Sequence, residues 1–128
     1  MEKEFVPYQQ ALELKELGFD EPCFGKFYHN HLEIGGSWLN SEFNKDKKDG
    51  NIFTSAPLYQ QVFRWFRNKY GIDFSINTIY SRYNENTSKK YSGVIDNKTV
   101  FINVGFYETY EEAELAGLQK MIEIIENK

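Results

Sequence analysis

Apolar side chains recur along residues 54–71 at the spacing of a buried helix. Tyr59, Val62, Phe63, Phe66 and Tyr70 fall at i, i+3, i+4, i+7 and i+11, while Gln60, Gln61, Arg64, Arg67 and Asn68 occupy the rest of the wheel. Thr54 or Ser55 is expected to cap this helix, Pro57 to sit in its first turn and Gly71 to end it. A shorter helix is expected over 7–17, with Ala11, Leu12, Leu14 and Leu17 on its apolar side and Gly18 as its stop. Between the two helices, 23–28 and 32–34 read as a small hairpin or irregular strand pair around His29-Asn30-His31.

After the central helix the period changes to two. Ile72, Phe74, Ile76, Thr78 and Tyr80 alternate with Asp73, Ser75, Asn77, Ile79 and Ser81, which predicts a strand with one largely apolar face. A turn is expected at 84–88, a second strand at 91–95, a tight turn at Asp96-Asn97-Lys98 and a third strand at 99–104, with Val100, Ile102 and Val104 on one side. Thr109-Tyr110-Glu111-Glu112 is a capping box, and Ala113, Ala116, Leu118, Met121, Ile122 and Ile125 continue from it as a broad apolar face to about Glu126. The fold class is α+β: an N-terminal helix and short hairpin, then a helix, a three-stranded antiparallel meander and a C-terminal helix packed on the sheet.

At 128 residues the chain is expected to form a single domain, 1–128. A composition shift at about 35–52 to Gly, Ser, Asn, Lys and Asp predicts a mobile polar loop, within which Trp38, Leu39 and Phe43 are suited to tacking part of it back onto the body. Cys23 is the only cysteine, so no intrachain disulfide forms and a reducing cytosol is the expected setting. Met1 to Pro7 lacks the basic and apolar regions of a secretory leader, so none is expected, and no apolar run reaches membrane-spanning length, so no membrane association is expected.

The net charge of −4 argues against general nucleic-acid binding, which draws on an excess of Lys and Arg. Helix, three antiparallel strands, helix is also the order of double-stranded RNA-binding domains. Such a domain needs cations where its last helix starts, whereas Glu108, Glu111, Glu112 and Glu114 occupy that end here. The cations gather instead in the middle of the chain. From Arg64 to Lys98 the sequence holds Arg64, Arg67, Lys69, Arg82, Lys89, Lys90 and Lys98 against Asp73, Glu85 and Asp96.

Candidate chemistry is sparse. His29, His31 and Glu33 alternate and would share a face of an extended strand, yet a hairpin turn there splays the imidazoles, so no metal site is expected. Cys23 has no basic neighbour in sequence to activate it and reads as a small buried side chain. No nucleophile elbow, phosphate-cradling loop, metalloprotease pair or dinucleotide fingerprint occurs, so no catalytic residue and no cofactor is assigned. The remaining candidate is a basic strip rich in aromatic rings: Arg64, Trp65, Arg67, Tyr80, Arg82, Tyr83, Lys89 and Lys90. Guanidinium groups beside stackable rings suit the phosphate and base of a small nucleotide, and Arg and Tyr also mark protein contact surfaces.

Three blocks carry a resemblance: Leu14 to Gly25 (LKELGFDEPCFG), Ala56 to Gly71 (APLYQQVFRWFRNKYG) and Tyr107 to Ile124 (YETYEEAELAGLQKMIEI). Together they are similar to small proteins encoded by phages and prophages of gut Bacteroidales. The resemblance carries no activity and no site residue; it implies a small accessory protein in a bacterial host cytosol. With it, the expected function is non-enzymatic binding that antagonises a host process such as antiviral defence, by engaging a host protein or sequestering a small nucleotide signal. The alternatives are an assembly partner in phage replication or morphogenesis, and a small nucleotide hydrolase whose carboxylates only the fold brings together. The last helix, with Ile122, Ile124 and Ile125 pointing in different directions, is expected to leave apolar area for a homodimer.

Overall fold

A computed structural model describes residues 2–35, 53–83 and 86–127. The expected loop, with Trp38, Leu39 and Phe43, therefore lies outside the described residues apart from Gly35. The structure is α+β, with three α-helices and two three-stranded antiparallel sheets among the described residues. A short 3-10 turn at Glu2–Glu4 leads into α1 (Tyr8–Glu16), β1 (Gly25–Tyr28), β2 (His31–Ile34) and β3 (Phe53–Ala56). Then come α2 (Tyr59–Tyr70), β4 (Asp73–Tyr83), β5 (Asn86–Asp96), β6 (Phe101–Tyr107) and α3 (Tyr110–Glu126). The chain divides into two compact units, Met1–Val62 and Phe63–Lys128, the division falling inside α2.

In the first unit the strand order is β2-β1-β3. The α1 helix ends as its sequence predicts: Gly18 has φ 96°, and the Phe19 N–H donates to the Leu14 carbonyl at 3.0 Å. The sequence reading misses β3. Thr54 and Ser55, expected as helix caps, are buried strand residues paired with Phe27 and Lys26 of β1. Both roles use extended backbone, so a Thr-Ser pair suits either; pairing with β1 selects the strand. Pro57 consequently precedes the helix, with its carbonyl accepting from the Val6 N–H at 2.9 Å, and Leu58 accepts the first helical bond from Val62. Phe5, Val6, Ala11, Leu14, Phe19 and Phe27 are buried, and Tyr8 lies edge-on to Phe27 with ring centroids 5.2 Å apart.

In the second unit the meander β4-β5-β6 forms as expected, with longer strands. β5 begins at Asn86, so Asn86, Thr87 and Ser88 are strand rather than turn. The third strand starts later than expected, because Asn97 organises the connection: its Oδ1 accepts from the backbone N–H groups of Thr99 and Val100 at 3.2 and 3.0 Å. Val100 thus falls in the turn and is exposed. α3 packs on the sheet through Ala113, Gly117, Leu118, Met121 and Ile122, all buried. Its start is the expected capping box in altered form. Thr109 Oγ1 accepts from the Glu112 N–H at 3.1 Å, and the same hydroxyl donates to the Glu112 carboxylate at 3.0 Å. Ile122 is buried, leaving Ile124 and Ile125 half-buried.

Candidate functional site

The strands of the second sheet differ in length, and that difference makes its most distinctive surface. β4 and β5 pair along eleven residues, from Asp73↔Asp96 to Tyr83↔Asn86. β6 accompanies β5 only between Tyr91 and Asp96. Residues 79–83 and 86–90 therefore form a two-stranded ribbon beyond the third strand, about 16 Å long at the usual strand rise. Every described side chain on it is exposed. A two-stranded ribbon is marginal by itself; this one continues a three-stranded sheet that α3 covers.

Alternation sorts its side chains into two faces. Tyr80 and Arg82 share one with Lys89 and Thr87, and Ile79 and Ser81 share the other with Lys90 and Ser88. On the first face the Lys89 ammonium stands 6.0 Å from the Tyr80 ring centroid and 5.3 Å from that of Tyr91, and Tyr91 meets Tyr110 edge-on at 5.7 Å. A hydrogen bond to Tyr91, with the charge interactions of Tyr91 and Tyr80, shifts the Lys89 pKa upward, so the cation keeps its proton. On the second face Lys90 pairs with Glu108 at 3.1 Å. Tyr80 is 67% exposed, an unusual position for a large ring in a strand.

The eight residues of the basic strip do not form one site. Trp65 is buried, edge-on to Phe66 and Tyr70 at 5.1 and 5.5 Å, and belongs to the core. Arg64 is exposed, and Arg67 faces Asp73 at 3.9 Å, where β4 begins. Arg82 lies nine residues further along that strand, about 30 Å away. Tyr80, Arg82, Lys89 and Lys90 come together on the ribbon, and Tyr83 is its last β4 residue. The α2 cations stand at the other end of β4, because a strand carries neighbours in sequence apart whereas a helix folds them back.

The other sequence candidates are accounted for locally. His29 occupies the hairpin turn at φ 53°, edge-on to Tyr28, while Glu33 pairs with Lys26 at 3.6 Å. Among the described residues no three His, Cys, Asp or Glu side chains gather as a metal site. Cys23 is buried and its thiol donates to the Glu21 carbonyl at 3.4 Å. Burial, aided by the Glu21 charge, pushes its pKa up to about 12, so it is no nucleophile at neutral pH.

Sequence reasoning gives no sign of an open groove of ≈ 370 Å³ between β6 and α3, lined by Ile102, Asn103, Val104, Tyr107, Ala116, Gln119, Lys120 and Glu123. Four of its polar side chains are engaged within the unit: Tyr107 donates to the Val104 carbonyl, Asn103 accepts from the Gly105 N–H, and Lys120 pairs with Glu123. Also unforeseen is the exposure of Phe101 and Phe106, 77% and 58%; Phe106 joins the strand because β6 runs on to Tyr107. No described helix is long and apolar enough to cross a membrane. No family model matches the chain, and no curated protein or solved structure matches it either.

Proposed function

We propose that this chain is a non-enzymatic binding protein that works through protein contact, and that the projecting β4–β5 ribbon makes the contact. One observation carries this reading: Tyr80, Arg82 and Lys89 share one face of an exposed, projecting ribbon, with Lys90 on its other face. A small nucleotide is held by groups converging from several sides, whereas exposed Tyr and Arg on a projecting element suit insertion into a partner surface. Combined with the resemblance to phage and prophage proteins, the partner is a host protein in the bacterial cytosol, and the effect is antagonism of an antiviral defence.

The test is expression in bacterial strains carrying different defence systems, followed by phage challenge and native mass spectrometry of the gently purified protein. The intact chain should raise plating in at least one strain and retain a protein partner. Arg82→Glu with Lys89→Glu should abolish both effects, while Arg64→Glu with Arg67→Glu should leave them. The reverse pattern, with a retained species of a few hundred daltons, would instead establish nucleotide sequestration. Unchanged plating in every strain with a co-purifying phage protein would make it an assembly factor.

A further inference from the structure

The contact reading leaves open what the ribbon recognises, and the free edge of β4 narrows it. Among the described residues β4 is an outer strand in the order β4-β5-β6, so on one side its backbone N–H and C=O groups have no described partner strand. From Asn77 through Arg82 every side chain on this edge is exposed. Natural edges are blunted by proline, bulges or short length; β4 has no proline, is eleven residues long and pairs with β5 in unbroken register. The opposite edge, β6, is seven residues long, and its pairing with β5 shifts register at Gly93/Val94. The two edges of one sheet are thus treated differently: the long, unbroken one carries a single ribbon cation, Arg82, with Lys89 beside it on β5.

We propose that the β4 edge accepts an extended, acidic segment of the partner protein, which adds as a fourth strand along Asn77–Arg82. This rests on the contact reading above. Backbone hydrogen bonds from alternate residues would hold the segment, and the exposed Ile79 and Tyr80 would pack against its side chains on the two faces. Charge selects the occupant. Between 79 and 90 the sequence holds Arg82, Lys89 and Lys90 against Glu85 alone, in a molecule of net charge −4; Lys90 already pairs with Glu108, so Arg82 and Lys89 on the other face are the cations offered to a partner. A second copy of the chain would bring its own Arg82 to the same edge, and a nucleic acid has no strand to add.

The test uses the full chain and three synthetic peptides: one alternating Glu with Val and Thr, its counterpart with Lys in place of Glu, and the Glu peptide N-methylated throughout. Binding is read by fluorescence anisotropy at low salt, and its location by amide exchange. The Glu peptide should bind and protect alternate amides along Asn77–Arg82. The Lys and N-methylated peptides should bind at least roughly tenfold more weakly, since one loses the charge match and the other the backbone bonds. Arg82→Glu with Lys89→Glu should invert the preference towards the Lys peptide. Equal binding of the N-methylated peptide, protection elsewhere, or no binding would overturn strand addition. So would displacement by an equal concentration of oligothymidylate, or amides already protected in a protein of dimer mass. If the ribbon variants lose the phage effect while the Glu peptide fails to bind, the contact reading stands and strand addition falls.

Discussion

At the scale of single residues, Phe74 sets how closely α3 can approach the second sheet. Its ring fills the space that a side chain at Gly117 would take, where a methyl group would overlap it, and with Val104 it closes the space at Gly93, where a Cβ would lie 2.7 Å from Val104 and 2.9 Å from the ring. Phe63 closes another side, 4.8 Å away between ring centroids. Gly117→Ala would gain about 1 kcal/mol of helix propensity. Overpacking costs about 1–3 kcal/mol, so a lowered Tm is expected, with partial recovery on adding Phe74→Leu. A Tm at or above that of the parent would mean that the sheet yields to the helix. Cys23 supplies a second expectation. Its folded pKa, about 12 against an ordinary value of 9.0, is raised, so the thiol's contribution to stability is complete below pH 9.0 and is lost as pH rises towards 12. The native protein should resist iodoacetamide at pH 8 and react only when unfolded. Rapid native alkylation would contradict the burial.

At the scale of elements, two threonines show what local sequence can and cannot decide. Thr109 was legible as a cap because Glu112 stands three residues on and an apolar helical period follows at once; both signals lie within one turn. Thr54 also precedes an apolar helix, but its role depends on Phe27 in β1, a distant partner that no local pattern names. The ribbon was hidden for the same reason. Asn86, Thr87 and Ser88 have turn chemistry, and become strand because Tyr83, Arg82 and Ser81 pair with them. A cap that is legible locally should behave locally. Thr109→Ala should cost about 1 kcal/mol, seen as a lower urea midpoint with an unchanged slope, while Thr109→Asp should restore most of it. Equal losses in both variants would show that the hydroxyl matters through the Glu112 carboxylate instead.

At the scale of the whole molecule, the sequence placed Arg64, Arg67, Arg82 and Lys89 in one basic strip, and the length of β4 separates them. Which residues are charged is legible; where eleven extended residues carry them is not, since the turn chemistry of Asn86, Thr87 and Ser88 hides half the length of β5. Both units nevertheless share one element, because the division between Val62 and Phe63 lies within α2. A twelve-residue helix is marginal without tertiary support, so a unit that unfolds also withdraws the support for its own part of the helix. Cooperative unfolding follows from this sharing. Amide signals from Phe27 in β1 and Ile95 in β5 should vanish at one urea midpoint. Arg64→Pro probes the coupling directly: its side chain is exposed, so the damage is confined to the helix backbone, at about 3 kcal/mol or more. Both signals should then move together to lower urea. If only Ile95 moved, α2 would belong to the second unit alone, and the first would be held by β1, β2, β3 and α1 without it.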